Sequence, residues 1–287
     1  MSEDGAHGLT IIAFIGSVFS PYYAFARARG RGDPENHAAM NVALYGQPSR
    51  WAMTERGRKH LRRSAGRLEI GASAMQWDGE TLTISIEEVT VPLPSRLRGT
   101  VTVRPRALTG GSFALDAQGR HRWQPIAPLS DVVVDLKSPA LRWRGSGYFD
   151  SNSGDEPLDA AFRSWTWSRF DRGDHARIFY DVVAADGTER SLSLRADAAG
   201  SIQDAAPIRY QPLPNGLWGV KRSAPTDGSM SPVLVQSLED TPFYTRSTIR
   251  SGIDGAPALG VHESLSLGRA SAPLVRMMLP FRMPRRS

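Results

Sequence analysis

The sequence contains no cysteine and, among its 287 residues, only three lysines: Lys59, Lys137 and Lys221. Without cysteine, the chain has no disulfide framework, no thiolate metal ligand and no thiol nucleophile. The apolar run GLTIIAFIGSVF near the N-terminus is shorter than the roughly 20 residues that cross a bilayer. It follows the acidic segment MSEDGAHG, so we expect neither a membrane span nor a secretory signal here.

Several common functional signatures are also missing. The sequence has no Walker loop, no GxSxG, no HExxH and no dinucleotide-binding fingerprint. Its net charge of +6 comes from arginines that are scattered and mixed with acidic residues, which argues against nucleic-acid binding. No two histidines have the spacing of metal ligands, so we expect no metal site. The six are His7, His37, His60, His121, His175 and His262.

What the sequence does contain is mostly β-strand pattern. TLTISIEEVTV alternates apolar with polar residues, and GTVTVRP, SDVVVDL and ALRWRGSGYFD are rich in β-branched and aromatic residues. ARIFYDVVAADGTERSLSLRAD predicts a hairpin that turns at Asp186 and Gly187. Only ENHAAMNVAL and the stretch around RGRKHLRRSA have a helical pattern. We therefore predict an all-β protein, a barrel or a sandwich, with a boundary near residue 154 that divides it into 1–154 and 155–287.

Two short constellations could carry chemistry. In HRW, His121 and Trp123 lie two residues apart, and in GYFDSNSG, Tyr148 and Asp150 have the same spacing. In an extended chain this spacing puts both side chains on one face, so each pair could bring an aromatic ring and a proton-active group to one pocket. The alternatives are a surface loop for the first pair and a turn-capping Asp at a strand end for the second.

The sequence closely resembles a known family over nearly its whole length. The stretch FIGSVFSPYYAFARARGRGDPENHAAMNVALYG, followed by RWAMTERGR, is similar to carotenoid 1,2-hydratases of purple bacteria, also called hydroxyneurosporene synthases. The similarity continues through SRLRGTVTV, HRWQPIAP, GSGYFDSNSG, FRSWTWSRF, TPFYTRS and GVHESLSLGR. These strings are far more specific than a lone glycine motif.

The resemblance implies a fold and an activity. The fold is a pair of lipocalin-like antiparallel β-barrel domains, with the active site in the N-terminal one. The activity is the addition of water, without a cofactor, across the terminal C1–C2 double bond of acyclic carotenes such as neurosporene and lycopene. The alternatives are a lipocalin-like carrier of carotenoids or other lipids, and an isomerase or cyclase of the same fold.

The resemblance also assigns residues. It implies a catalytic set formed by His121, Trp123, Tyr148 and Asp150. Alkene hydration must begin with a proton from a neutral acid, and burial among apolar groups keeps an Asp neutral by raising its pKa. The resulting cation could then lie against the aromatic faces of Trp123 or Tyr148. We further predict three substrate-binding residues, although the tryptophan pair would also suit a hydrophobic core: His37, Trp165 and Trp167.

The C-terminal segment LVRMMLPFRMPRRS mixes apolar side chains with arginines. One interpretation is a contact with an anionic leaflet, which would place the protein peripherally on the cytoplasmic side of the photosynthetic membrane, where its substrate resides. The other interpretation is a final barrel strand, MMLPF, followed by a solvated tail.

Overall fold

The computed structural model describes residues 1–286 and consists mainly of β-strands. The strands, numbered β1 to β21 in chain order, are Gly8–Ile15, Ala38–Tyr45, Arg50–Arg56, Leu61–Ser64, Arg67–Ile70, Ser73–Trp77, Leu82–Val89, Arg96–Pro105, Phe113–Ala114, His121–Ser138, Ala140–Gly154, Phe162–Asp171, His175–Ala184, Glu189–Asp197, Ile202–Asp204, Arg209–Leu213, Arg222–Thr226, Val233–Asp240, Tyr244–Ile253, Ala256–Ser266 and Arg285–Arg286. The helices α1 to α4 are Pro21–Ala28, Leu158–Ala161, Leu267–Ala270 and Pro273–Arg282. Pro34–Asn36 and Arg58–His60 form single 3₁₀ turns.

The strands pair into four sheets. The first sheet has the order β1-β2-β3-β21. The second has the order β11-β10-β8-β7-β6-β5-β4, and β9 pairs with β10 beside it. The third has the order β15-β14-β13-β12-β20-β19-β18, and the fourth consists of β16 and β17. The all-β prediction is therefore confirmed. Within residues 1–286, no sheet has a strand order that returns to its own first strand, so the pairing observed here does not confirm two closed barrels.

The chain divides into two compact units. The first contains Met1–Pro105, Ser130–Gly147 and the segment from Arg276 onward, and the second contains Arg106–Leu129 and Tyr148–Val275. Each unit thus combines segments from both sides of residue 154, and the boundary predicted there stays a prediction. No helix within residues 1–286 is both long enough and apolar enough to span a membrane.

Local predictions were right where the pattern was strong. TLTISIEEVTV forms β7, whose residues alternate between buried and less buried positions. The predicted hairpin is formed by β13 and β14, with Gly187 in the left-handed region at φ 93°. A tight turn of this kind requires positive φ, which glycine adopts without the steric penalty of a Cβ atom.

The helical predictions were wrong. ENHAAMNVAL contributes β2, and the stretch around RGRKHLRRSA forms a 3₁₀ turn followed by β4. All eight residues of β2 are buried, and β2 pairs antiparallel with both β1 and β3. Burial on both faces of a central strand gives a continuous apolar run without alternation, so the sequence lacks the usual strand signal.

The interpretation of MMLPF as a final strand was wrong, and Arg285 and Arg286 pair with a strand although Arg286 is exposed; Ser287 lies outside the described residues. MMLPF lies in helix α4, and Met283 is buried beside Ala39 and Met53. Arg285 and Arg286 form β21, parallel to β3, and the Arg285 guanidinium donates a hydrogen bond to the buried Glu55 carboxylate. The last described residues are therefore part of the first unit's packing.

The third sheet orders the side chains of the second unit. Antiparallel pairing sets Tyr180 opposite Trp167, Trp167 opposite Glu263, and Glu263 opposite Arg246. Directly opposed residues project from the same face of a sheet, so these four side chains form one row across β13, β12, β20 and β19. The other face contributes Phe170, Phe179, Ile249, Ile253 and Ala258 to the unit's core cluster, and the fourth sheet adds Leu213 and Ala224.

Candidate active site

Asp150 receives two hydrogen bonds on a single carboxylate oxygen. The Trp123 indole Nε1 donates to Asp150 Oδ2 at 2.8 Å, and the Tyr148 hydroxyl donates to the same oxygen at 3.0 Å. Trp123 lies in β10, and Tyr148 and Asp150 lie two residues apart in β11, which continues to Gly154. Asp150 is thus inside a strand, and the alternative that it caps a turn is wrong.

Asp150 is held in a setting that favours its neutral form. Burial raises its pKa to about 6, against the opposing effect of the hydrogen bonds from Trp123 and Tyr148. The charge of Glu263 raises this pKa further, and that of Arg246 lowers it. Both donors occupy Oδ2, and Oδ1 has no hydrogen-bond partner among residues 1–286. The acidic proton therefore belongs on Oδ1.

Aromatic rings surround this carboxyl group. The ring of Tyr148 lies 5.0 Å from that of Trp167, and the ring of Trp123 lies 5.3 Å from that of Tyr180, edge to face. Trp165 lies 6.5 Å from Tyr180 on the same wall. Both predicted tryptophans therefore belong to the wall around Asp150. Tyr180 was missed, because it stands in a strand whose residues are mostly buried and its partners come from distant segments.

His121 occupies the next same-face position before Trp123 in β10. Its side chain is buried, its ring centroid lies 4.9 Å from that of Phe162, and its Nε2 has no hydrogen-bond partner within the described chain. Burial lowers the pKa of His121, so the imidazole is neutral at neutral pH. A Cβ atom at Gly154 would collide with His121 Nδ1, which explains the glycine there. The surface-loop alternative for His121 is therefore wrong.

A charged group adjoins the aromatic wall. Arg246 is buried and lies 2.8 Å from the carboxylate of Glu263 and 3.2 Å from that of Glu239. Glu263 stands next to Trp167 in the row across the sheet. It is part of GVHESLSLGR, one of the strings that carry the family resemblance, but nothing in the sequence assigned Glu263 a role. The strand register is what brings its charge close to Asp150.

His37 lies among residues of the first unit, whereas the other six predicted site residues belong to the second. Its Nδ1 is 2.7 Å from Glu55 Oε1 and 2.9 Å from the Arg285 guanidinium. Ser20 also donates to the Glu55 carboxylate. These contacts account for the burial of His37, and its role in substrate binding stays a prediction.

The chain also matches a known protein family over nearly its whole length. The family model described as "Carotenoid hydratase CrtC" matches residues 11–287. The chain belongs to this family. The family resemblance noted from the sequence is thereby confirmed, and with it the assignment of this protein to the carotenoid hydratases, enzymes that add water to a double bond.

Named relatives of this carotenoid hydratase are similar over nearly its full length. The acyclic carotenoid 1,2-hydratase of Thiocapsa roseopersicina is 53% identical over 99% of this chain and 71% of its own. That of Rubrivivax gelatinosus is 49% identical over 100% of this chain and 72% of its own. That of Cereibacter sphaeroides is 40% identical, covering 96% and 98% of the two chains.

The carotenoid hydratase is similar to two solved structures in fold alone. An AttH-type protein from Nitrosomonas europaea superimposes with a TM-score of 0.65 at 14% identity, covering 92% of this chain and 88% of its own. CghA, solved with Sch210972, gives a TM-score of 0.51 at 12% identity, covering 83% and 86%. At such identities, function must be argued from the site.

Proposed function

We propose that this carotenoid hydratase adds water across the terminal C1–C2 double bond of acyclic carotenes such as neurosporene and lycopene, without a cofactor. The observation that carries the proposal is the half-buried Asp150, whose Oδ2 is held by Trp123 and Tyr148 while Oδ1 is left to carry a proton. The names of the relatives support the substrate class. Incubation with lycopene in liposomes, followed by mass analysis for added water, tests it.

The first step is proton transfer from Asp150 to C2. An unactivated alkene is a poor base, so it needs a neutral carboxylic acid held close by. With a pKa of about 6, roughly a tenth of the Asp150 side chains are protonated at pH 7. A bound carotene would exclude water and raise this fraction, because desolvation disfavours the carboxylate. The tertiary cation at C1 then lies against the rings of Trp123 and Tyr148.

The second step is capture of the cation by water. The water oxygen forms a bond to C1 and releases a proton, giving the tertiary alcohol. His121 is neutral, its Nε2 makes no hydrogen bond within residues 1–286, and the Glu156 carboxylate 3.9 Å from Nε2 would stabilise the imidazolium, so His121 can accept that proton. Return of a proton to Asp150 closes the cycle. Trp165 and Trp167 contribute apolar surface for the polyene chain near the reacting end.

A carrier of carotenoids would need the aromatic wall but not the acid. Removing a carboxyl group from water costs free energy, and no ion pair within the described chain offsets that cost at Asp150, so a simple carrier gains nothing from it. An isomerase would use the same acid, yet it would return an alkene instead of an alcohol. The mass analysis separates the three, because only hydration adds the mass of water to the carotene.

The pH dependence of the rate should follow the protonation of Asp150. The neutral acid is the reactive form, so we expect the rate to fall as pH rises through about 6. The Tyr148 hydroxyl stabilises the carboxylate and lowers its pKa. Tyr148→Phe should therefore move the falling limb of the pH–rate profile to higher pH. A limb that stays in place or moves to lower pH would contradict this assignment.

The same variant separates two roles of Tyr148. If only the ring matters, Tyr148→Phe should change kcat little at pH values well below the falling limb of the pH–rate profile. If the hydroxyl also orients Asp150, kcat should fall severely even there. Tyr210→Phe is the control, because the Tyr210 hydroxyl also donates a hydrogen bond to a carboxylate, that of Asp181. Asp181 follows Tyr180 in β13, so the two side chains project from opposite faces of the sheet.

Helix α4 offers a surface for peripheral membrane contact. Its apolar residues Leu274, Met277, Met278 and Phe281 are exposed and recur at helical spacing, which places them on one face. Arg276 and Arg282 are exposed on the same helix. Acyclic carotenes reside in the bilayer, and a helix of this composition suits the surface of an anionic leaflet. We therefore propose peripheral association on the cytoplasmic side of the photosynthetic membrane.

Co-sedimentation with liposomes checks this association. We expect more protein to bind anionic than neutral vesicles, and we expect added salt to release it, since each arginine near the surface contributes about 1 kcal/mol. The double variant Met277→Gln, Phe281→Ser should bind less, whereas Val235→Ser, an exposed valine on β18, should bind normally. Binding that ignores both lipid charge and salt would rule out the electrostatic part.

The family resemblance also implies that the sheets curve into two lipocalin-like barrels, divided near residue 154, and we retain this as a proposal. The long antiparallel meander from β12 to β15 supports it, since such meanders build up-and-down barrels. Closure of the third sheet would require its edge strands β15 and β18 to pair. A crystal structure with a bound carotene would test whether they do.

A further inference from the structure

Tyr180 has a poorly satisfied hydroxyl group beside the candidate acid. The side chain is 5% exposed, and its hydrogen bond to Asn152 Oδ1, at 3.4 Å, is the only one it makes within residues 1–286. That distance is at the long limit for an O–H···O bond, whereas buried phenols usually have a close partner. The hydroxyl therefore retains capacity to donate to and accept from another small polar molecule.

The position of this hydroxyl follows from its neighbours. The Tyr180 ring packs edge to face on Trp123, the residue that donates to Asp150. Burial and the charge of Asp150 both raise the pKa of Tyr180. The phenol is therefore protonated at any pH at which the enzyme works, and it lies close enough to Asp150 to sense its charge.

Asn152 lies between the Tyr180 hydroxyl and the His121 imidazole along β11. Side chains two residues apart in β11 share a face, so the order along that face is Tyr148, Asp150, Asn152 and Gly154. Gly154 lies directly against the His121 ring. Asn152 thus stands between the candidate acid and the candidate base, and it is exposed, so solvent reaches it.

We propose that the Tyr180 hydroxyl and the Asn152 side-chain amide hold the water molecule that captures the cation, between Asp150 and His121. This assignment rests on the proposed hydration. The water accepts a hydrogen bond from Tyr180 and donates one to Asn152 Oδ1. Its free lone pair forms the bond to C1, and its second proton passes to His121 as the alcohol forms.

The prediction is a separation of protonation from capture. Without the held water, the cation persists until it loses a proton again and returns to the alkene. In D₂O, Asp150 delivers a deuteron to C2. Rotation about the C1–C2 single bond of the cation then aligns the original C2 hydrogen with the empty orbital, and its loss to the Asp150 carboxylate leaves deuterium in the recovered carotene. Tyr180→Phe and Asn152→Ala should therefore lower hydration about tenfold or more while exchange at C2 continues at the wild-type rate or faster.

The experiment measures alcohol formation and C2 deuterium in the same lycopene incubation. Tyr210→Phe and Ser153→Ala are matched controls that remove a hydroxyl elsewhere in the unit, and both should behave as wild type. Since Asn152 is exposed, its alanine variant should fold normally even if Tyr180→Phe does not. Wild-type hydration in both site variants overturns the proposal, and so does an equal loss of hydration and exchange.

Failure of the underlying hydration mechanism has a different signature. If Asp150 is not the acid, Asp150→Asn continues to hydrate lycopene and to exchange C2, whatever the Tyr180 and Asn152 variants do. If Asp150 is the acid, Asp150→Asn loses both reactions together. The water-holding assignment is then judged by the ratio of hydration to exchange in Tyr180→Phe and Asn152→Ala alone.

Discussion

Asp150→Asn is expected to lower the hydration rate by about 10³- to 10⁴-fold, the upper part of the range for loss of a general acid. The amide has the shape of the carboxyl group, and its oxygen can still accept the bonds that Trp123 and Tyr148 donate to Oδ2. What it lacks is a proton acidic enough to reach C2 of the alkene. We therefore expect an intact fold with almost no product, measured as alcohol formed from lycopene and as melting temperature.

Asp181→Asn is the matched control for this variant. Asp181 also has a pKa raised by burial and also accepts a hydrogen bond from a tyrosine, Tyr210. It follows Tyr180 in β13, so its side chain projects from the opposite face of the sheet. We expect this control to retain activity. Substantial turnover by Asp150→Asn would remove Asp150 from its role as the acid.

Trp123→Leu is expected to reduce the rate by about 30-fold or more, because a desolvated cation–π contact is worth about 2 kcal/mol. Leucine also loses the indole donor to Asp150 and leaves a cavity at a fully buried position. Trp123→Phe should retain more activity, since a phenyl face still offers a weaker quadrupole to the cation. The order of rates should thus be wild type, then phenylalanine, then leucine.

Two measurements separate the cation effect from simple loss of packing. The melting temperature of each Trp123 variant measures the loss of stability caused by the cavity. Trp77→Leu, at a tryptophan in β6 of the first unit, measures how far a tryptophan-to-leucine change away from the site lowers stability and activity. If packing alone matters, the activity of each Trp123 variant should follow its stability. Equal activity in Trp123→Leu and wild type would show that the indole does not stabilise the cation.

The sequence predicted local structure best where one face of a strand meets solvent. In β7 the alternation is visible because every second residue is buried. In β2 all eight residues are buried, the alternation vanishes, and the helical prediction was wrong. The C-terminal segment was misjudged for a related reason, because the partner of β21 is β3, more than two hundred residues earlier in the chain. Composition carries no signal for such pairing.

By itself, the sequence determined the all-β class, the hairpin at Asp186 and Gly187, and membership of the carotenoid hydratase family through specific strings. Spacing alone left Asp150 undecided between a turn cap and a buried acid. The tertiary structure decided that point, because the pKa of a carboxyl group depends on neighbours that the fold brings from distant segments. Strand register is also what sets Tyr180 and Glu263 beside Trp167, a row that no local pattern encodes.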